Sequence, residues 1–355
     1  SPHLVNVNER IGVDGEQISD EIFCRVFDRV METVREMEER GLKHPTFFEF
    51  LFGMAMTAFA QAGVEYAVLE TGLGGRLDAT NAVEHPAVCV ITSIGIDHTR
   101  YLGDTLEKIA GEKAGIIKPG VPVFYAETSP ESDAVIEKTA AEKKSFCKKI
   151  GKDAYEILGI EDKHIAFSCA SDYYGNTTWK LNNTAVCQPG NAALALEVMR
   201  YLFGENARLE RWRDTLYTLK WEGRMEEILP DVYIDGAHNV SAIEAFAASV
   251  PEDGKGNLIL FSAVDDKDYE KMIDLLCRKV PAEMYVVTHI DDRRGVDAKI
   301  LGDIFRKYTD RPVIAEPSAK DALSRVLKQQ NGRRVYCLGS LYLTGMIKSL
   351  IQEVI

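Results

Sequence analysis

Short runs of β-branched and aromatic residues alternate with helical stretches along almost all of the chain. This alternation is typical of α/β folds, in which parallel strands are joined by helices that cover the sheet. The first half predicts strands at residues 66–69, 87–92 and 121–125. After residue 223 a second series predicts strands at 232–234, 258–261, 284–287, 313–315 and 335–338.

Between the two series the pattern changes. Residues 149–183 contain alternating polar and apolar segments, with Gly175-Asn176 between strand-like runs, and this favours antiparallel hairpins. A length of 355 residues also favours two cores over one. We therefore expect an α/β protein with two domains: an N-terminal, mostly parallel sheet domain with a small antiparallel β portion (1–222) and a C-terminal Rossmann-like α/β domain (223–355).

Several helix boundaries are marked in the sequence. Ser19 begins a helical apolar pattern that Gly41 ends. Thr46 and Glu49 fit a capping box ahead of an apolar run, and Ser241 and Glu244 fit another.

The charge balance excludes some classes of partner. The chain has 42 Lys+Arg and 55 Asp+Glu, a formal net charge of −13, which argues against a broad surface for nucleic acid or anionic lipid. The 7 cysteines form no CxxC pair or Cys/His cluster, so neither a zinc site nor a disulfide framework is indicated. No apolar run is long enough to span a membrane. We expect a cytoplasmic protein that binds neither nucleic acid nor membrane.

A carboxylate and an imidazole follow two of the predicted strands. Glu70 comes directly after residues 66–69, and His98 follows residues 87–92. Ligands of open α/β sheets bind at the carboxyl ends of the strands, so neighbouring strands would place both side chains in one crevice. There they would suit a divalent ion carrying a nucleotide phosphate. The structural alternative is that the glycines after Glu70 make a tight turn and His98 only caps a loop.

Two further residues stand where ligands are commonly bound, and two others have a functional and a structural interpretation. Asp235 and His238 follow the strand at residues 232–234 and precede a helix, the usual place for an anion or nucleotide. Lys113 lies in the last turn of a predicted helix, where a lysine commonly does no more than complement the helix dipole. Phe48 lies beside Glu49 in the first predicted capping box, where capping is the favoured interpretation and an aromatic wall for a planar ligand the alternative.

Taken together, these strings resemble folylpolyglutamate synthase/dihydrofolate synthase, a family of the Mur ligase superfamily. The matching stretches run through the whole chain in order: Ser1-Pro2-His3-Leu4, Asn8-Glu9-Arg10-Ile11, Pro45 to Phe50, Glu70 to Asn81, Ser93 to Thr99, Glu112 to Lys118, Asn191-Ala192-Ala193, Gly223-Arg224, Asp235 to Asn239, Asp266-Lys267-Asp268 and Gly339 to Leu343. The resemblance implies a Mur-ligase-like N-terminal domain that binds ATP and folate and a C-terminal glutamate ligase domain.

The family joins a folate glutamate tail, or the carboxylate of dihydropteroate, to the amine of L-glutamate. ATP first converts the carboxylate to an acyl phosphate, which the amine attacks with loss of phosphate. The resemblance implies ATP, L-glutamate and a reduced folate or dihydropteroate as small-molecule partners, Mg²⁺ as cofactor and a monomeric state.

The resemblance also implies site residues. The implied Mg²⁺ ligands are Ser1, Glu70 and His98, the last two also counted as catalytic. The implied carbamylated lysine is Lys113. The implied ATP contacts are Asn191, Arg224, Asp235 and His238. The residues expected on the folate side are Phe48 and Glu49.

One part of the family pattern does not occur in this sequence. A P-loop of the form Gly-x-x-Gly-Lys-Gly-Ser precedes the Ser-Pro-His segment in the family, and Gly254-Lys255-Gly256 lies at the wrong end of its strand to replace it. We expect a strand, loop and helix of about 30 residues or more to be missing, with an exposed sheet edge and impaired activity as consequences. The chain opens on Ser1 rather than Met, which is typical of a processed product or a fragment.

Three alternatives stay open. A Mur-type ligase acting on a cell-wall precursor is disfavoured by the stretches from Pro45 to Phe50 and from Glu70 to Asn81. A non-catalytic remnant that binds folate or nucleotide is favoured by the lack of a P-loop and disfavoured by the intact site residues. A truncated sequence is the third.

Overall fold

The structure, a computed structural model, describes residues 3–161 and 163–352. Its helices are α1 (Asp20–Glu39), α2 (Phe47–Ala62), α3 (Thr99–Leu102), α4 (Leu106–Ala114), α5 (Pro130–Glu142), α6 (Gln188–Phe203), α7 (Leu209–Thr218), α8 (Val240–Ser249), α9 (Tyr269–Lys279), α10 (Ala298–Tyr308), α11 (Ala319–Lys328) and α12 (Leu341–Gln352). Its strands are β1 (Gly12–Val13), β2 (Glu16–Gln17), β3 (Cys89–Ile91), β4 (Val123–Ala126), β5 (Cys147–Ile150), β6 (Tyr155–Glu161), β7 (His164–Cys169), β8 (Thr178–Leu181), β9 (Glu226–Leu229), β10 (Val232–Ile234), β11 (Asn257–Phe261), β12 (Met284–Val287), β13 (Val313–Ala315) and β14 (Arg334–Leu338).

The N-terminal half holds a parallel sheet of three strands in the order β3-β4-β5. Helix α4 packs on it through Ile109, Ala110 and Ala114, all of them buried in one apolar cluster with β3 and β4. This packing holds α4, whose last turn carries Lys113, against the sheet.

The predicted strand at residues 66–69 is wrong. These residues belong to no strand, and Tyr66 and Val68 are 62% and 93% exposed. Strand β3 is the edge of its sheet, and its Val90 is 38% exposed. The residue types suit a strand, but no described strand pairs with this segment, and pairing is what completes a strand.

The small antiparallel portion is confirmed as the sheet β6-β7-β8. Its inner face buries Phe167, Trp179 and Leu181 against α6. Buried residues alternate with partly buried ones along β7 and with exposed ones along β8, as expected for a sheet with one solvated face.

The C-terminal half is built on a six-stranded sheet in the order β13-β12-β11-β14-β10-β9, parallel except for β9. Ile259 and Phe261 of β11 point into one apolar cluster, whereas Leu258 and Leu260 point into another on the opposite face. Helices cover both faces, which explains why the predicted strands of this half are continuous apolar runs. The two-domain α/β fold is confirmed, while the division at residue 222 stays a prediction. Within the described residues, no helix combines the length and apolar character needed to cross a membrane.

Candidate active site

The glycine-rich segment after Glu70 forms an ordered loop that packs on the end of α4. The Asp78 carboxylate accepts hydrogen bonds from the backbone N–H groups of Gly72 and Leu73, each at 3.0 Å, and so closes the loop. A Cβ at Gly75 would lie 2.8 Å from the carbonyl oxygen of Glu112 and 3.0 Å from that of Lys113. Only glycine allows this approach, so the loop is more than a flexible turn.

Lys113 lies in the last turn of α4, half-buried beneath this loop. Burial lowers the pKa of its ammonium group, and the negative charge of Asp97 acts in the opposite direction. An amine with a lowered pKa is more often neutral and therefore more nucleophilic. This environment goes beyond what a lysine needs in order to complement a helix dipole.

His98 adopts a left-handed backbone conformation, with φ of +50°, at the start of α3. Strained residues of this kind cluster at functional sites. Burial lowers the pKa of the His98 imidazole, opposed by the charge of Asp97, which leaves a neutral ring able to act as a metal ligand. Glu70 is exposed, and its charge acts on Arg10.

No cluster of three or more His, Cys, Asp or Glu side chains in the described part of the chain is arranged to hold a metal ion. Mg²⁺ commonly takes only one or two protein ligands and completes its shell with water and substrate phosphate. The Glu70 carboxylate offers the oxygen ligands that such an ion prefers, and His98 offers an imidazole nitrogen. Ser1, the third predicted ligand, lies outside the described residues.

A second group of site residues surrounds the strand end after β10. The buried Asp235 carboxylate accepts hydrogen bonds from the backbone N–H groups of Met225 and Ala237, both at 2.8 Å. Burial raises the pKa of Asp235, and those bonds and the positive charge of Arg224 oppose the shift. Arg224 lies so close that a Cβ at Gly236 would be 2.3 Å from its Nη1. The arrangement places an exposed guanidinium and a buried carboxylate beside the N-terminus of α8, where anions are favoured.

His238 lies next to this group. Its Nδ1 is 2.7 Å from the carbonyl oxygen of Gly236. A carbonyl can only accept, so Nδ1 carries the hydrogen, and Nε2 faces the N-terminal half of the protein.

The two groups meet at Asp97, which follows β3. Its Oδ2 accepts a hydrogen bond from Nδ2 of Asn239 at 2.9 Å and lies 3.5 Å from Nε2 of His238. Its Oδ1 lies 2.5 Å from Nζ of Lys267. Burial by itself would raise the pKa of Asp97, but its contacts with His238, Lys267 and Asn239 outweigh burial and hold that pKa well below its usual range. The predicted residues His98 and His238 are thereby brought to the same interface.

Three predicted residues remain, and their contacts are local. Asn191, in the first turn of α6, is exposed and donates to the Gln188 side chain at 3.2 Å. Phe48 packs edge-on against Gly72, where a Cβ would be 2.7 Å from the ring. The Glu49 carboxylate accepts from the backbone N–H of Thr46 at 2.7 Å, which confirms the capping box.

Three residues of the interface were not predicted as site residues: Asp97, Asn239 and Lys267. Each stands inside a motif noted in the sequence. Their role could not be predicted because it depends on contacts between distant residues: Asn239 is 142 residues from Asp97, and Lys267 is 170 residues from it. The second predicted capping box, formed by Ser241 and Glu244, is wrong. The residue that caps α8 is Asn239 rather than Ser241, and its side chain accepts from Ala242 at 2.8 Å.

Comparison with known proteins identifies the family. Residues 223–341 match the Mur ligase, glutamate ligase domain. The dihydrofolate synthase/folylpolyglutamate synthase of Bacillus subtilis is 38% identical over 288 residues, which are 78% of this chain and 66% of that protein. A folylpolyglutamate synthase of Arabidopsis thaliana is 33% identical, over 76% of this chain and 49% of the relative. The chain thus spans between about half and two thirds of the length of these curated relatives.

Solved structures agree. Mycobacterium tuberculosis folylpolyglutamate synthase, complexed with ADP and AMPPCP, matches with a TM-score of 0.88 and 27% identity, over 99% of this chain and 83% of that one. E. coli FolC in complex with DHPP and ADP matches with a TM-score of 0.84 and 28% identity, over 100% and 81%. The sequence relatives and the fold point to one family, and the chain belongs to the folylpolyglutamate synthase/dihydrofolate synthase family of Mur ligases.

Proposed function

We propose that this chain is an ATP-dependent amide ligase that adds L-glutamate to a reduced folate or to dihydropteroate. The observation that carries the proposal is the meeting of two half-sites across one interface: Asp97 and His98 of the N-terminal half, and His238 and Asn239 of the half that matches the glutamate ligase domain. The named activities of the relatives support the same reaction.

The reaction needs positioning more than it needs a strong acid or base. The γ-phosphoryl group of ATP passes to the carboxylate oxygen of the folate or pteroate, which gives an acyl phosphate and ADP. The glutamate amine then attacks the carbonyl carbon, the amide C–N bond forms, and inorganic phosphate leaves with the C–O bond pair. Charge builds up on phosphate oxygens in both steps, so fixed positive groups lower the barrier.

ATP would lie between the two halves, on Arg224, Asp235 and His238, with Asn191 as a further contact. The guanidinium of Arg224 suits phosphate, and the Asp235 carboxylate suits the hydroxyls of a ribose. The solved relatives that hold ADP or AMPPCP support a nucleotide here. Closure of the halves would then complete the site around the bound nucleotide.

Mg²⁺ would be held by Glu70 and His98, with Ser1 as a third ligand. When bound, it would supply positive charge against the phosphate oxygens. The contribution of the chain is to hold His98 in place through its strained backbone, while burial lowers the pKa of the ring and favours its neutral form against the charge of Asp97.

Lys113 would become carbamylated. The ammonium group would first lose one proton, and the neutral Nζ would then attack CO₂, form an N–C bond and release a second proton, so that a cation becomes an anion. The lowered pKa of Lys113 favours this step because only the neutral amine reacts.

Phe48 and Glu49 would stand on the folate side, where Phe48 already closes one wall of the glycine-rich loop. The binding of DHPP in the E. coli relative supports a pteroate substrate. The monomeric state, the lack of nucleic acid partners and the cytoplasmic location stay predictions.

The test is phosphate release from Mg·ATP, measured with and without L-glutamate and with tetrahydrofolate or dihydropteroate. We expect release only when both an amine and a folate-type carboxylate are present. The dependence on both substrates, rather than the absolute rate, decides the matter, so an impaired ligase would still be recognised. Release that ignores L-glutamate, or no release with any pair, contradicts the proposal.

A further inference from the structure

Asp97 joins the two halves of the protein through side-chain contacts that are largely shielded from water. Its side chain is 21% exposed, and that of its partner Lys267 is only 8% exposed. An ion pair in such a place is screened less by salt than a surface pair, but it becomes costly if one partner loses the other.

Asn239 is fixed in the orientation that this contact needs. Its Oδ1 accepts from the backbone N–H of Ala242 and so caps α8, which leaves Nδ2 to donate to Asp97. The amide cannot turn over without losing both bonds. The Asp97 carboxylate also lies at the N-terminus of a ten-residue helix, where the helix dipole favours a negative charge.

Neither donor belongs to the same half as Asp97. Asn239 precedes α8, and Lys267 follows β11, so both belong to the C-terminal half, which is built on the six-stranded sheet. Separation of the halves would leave a carboxylate and an ammonium without partners. The backbone N–H of His98 donates at 2.7 Å to Oδ1 of Asp97, the oxygen that also accepts from Lys267, so the position of His98 depends on that carboxylate.

We propose that Asp97 is a positioning residue: together with Asn239 and Lys267 it forms a latch that holds the two halves closed and sets His98 against His238. The latch deepens the proposed ligase function, in which ATP lies between the halves. Its geometry does not depend on that function, and it can be tested without any substrate.

The structure offers a direct reporter of the closed arrangement. A Cβ at Gly95, two residues before Asp97, would lie 3.4 Å from the Cβ of Ser241 in α8. Cysteines whose Cβ atoms are about 3.5–4.5 Å apart can form a disulfide. A Gly95→Cys/Ser241→Cys variant, treated with a mild oxidant, should therefore cross-link at a rate proportional to the closed population. Mass spectrometry of the linked peptide distinguishes this bond from those of the 7 native cysteines.

In this background Asp97→Asn should slow cross-linking by up to about tenfold, because the loss of hydrogen bonds to a charged group lowers the ratio of closed to open protein by about that factor. Lys267→Met should do the same, and so should Asn239→Ser, which keeps a capping oxygen but has no amide to donate. Asp97→Asn combined with Lys267→Met should be little slower than either alone, because the two changes remove one interaction.

The matched control is Asp104→Asn. Asp104 is an exposed carboxylate in the same segment, paired with Lys108 inside the N-terminal half, and its loss should leave the cross-linking rate unchanged. Cross-linking of Asp97→Asn at the parent rate, equal slowing by Asp104→Asn, or a parent variant that does not cross-link would each overturn the latch. If Asp97→Asn fails to fold, Lys267→Met gives the answer in its place. If cross-linking follows these predictions but the protein has no ligase activity, the latch is supported and the proposed function is refuted.

Discussion

Arg76 of the glycine-rich loop is bound twice to Glu112 of α4. Its backbone N–H donates to the Glu112 carbonyl at 2.9 Å, and its guanidinium Nη2 lies 2.9 Å from the Glu112 carboxylate. Glu112 directly precedes Lys113, so the loop and the lysine are held as one unit. A change that separates the loop from α4 should therefore displace Lys113 as well.

Gly75→Ala should lower the ligase rate by at least about tenfold while the protein stays folded, since a misplacement of about 1 Å at a reactive group can cost that much or more. The new methyl group would collide with the Glu112 and Lys113 carbonyl oxygens and push the loop off α4. Steady-state phosphate release and circular dichroism measure the two effects.

Gly111→Ala is the matched control on the same helix. A Cβ there meets no atom within 4 Å, and alanine is the better helix former by about 1 kcal/mol. This variant should melt at a higher temperature and keep its activity. Equal loss of activity in both variants would show that the contact of Gly75 is irrelevant.

Lys113→Met should raise the stability of the free protein near neutral pH. The folded state holds this lysine with a lowered pKa, so it bears the cost of a half-buried charge at every pH below that pKa. As pH rises from the lowered pKa to the unfolded value of about 10.4, the unfolded state binds more protons and the wild type gains stability. The advantage of the variant should therefore shrink above neutral pH. Urea unfolding at several pH values in CO₂-free buffer measures it, and an advantage that grows with pH would show the opposite shift.

The native cysteines should differ widely in reactivity. Burial raises the pKa of the Cys277 thiol to about 11, and Cys337 is buried with a raised pKa. Only the thiolate reacts. At pH 8 a thiol with a pKa of about 11 has a thiolate fraction roughly a hundredfold or more below that of an ordinary cysteine. Cys24 is exposed. Iodoacetamide should therefore label Cys24 first, with all 7 cysteines labelled in urea. Native labelling of Cys277 as fast as Cys24 would contradict the packing of α9.

The sequence predicts best those elements whose surroundings are uniform. The parallel strands of the C-terminal sheet have apolar centres because both faces are covered, so their positions follow from the local residue types. Residues 66–69 have the same composition, yet whether they form a strand depends on a neighbour elsewhere in the chain. Residue types report propensity, but pairing is a property of the whole fold.

The site divides in the same way. Glu70, His98, Asp235 and His238 could be picked out because each follows a predicted strand. Asp97 could not be assigned a function, since its meaning comes from Asn239 and Lys267, which are distant in sequence and reach it only through the contact of two domains. The capping role of Asn239 could not be predicted either, because Asn239 and Ser241 are equally good N-cap residues by local sequence.

The central claim is that this chain forms an amide bond between L-glutamate and a folate-type carboxylate at the expense of ATP. Its most direct test is mass spectrometry of the pterin product after incubation with Mg·ATP, L-glutamate and tetrahydrofolate or dihydropteroate. We predict a product longer by one glutamate residue, with one ADP formed for each amide bond. Unchanged pterin after prolonged incubation with chain that binds ATP, or ADP formed without any lengthened product, would contradict the account.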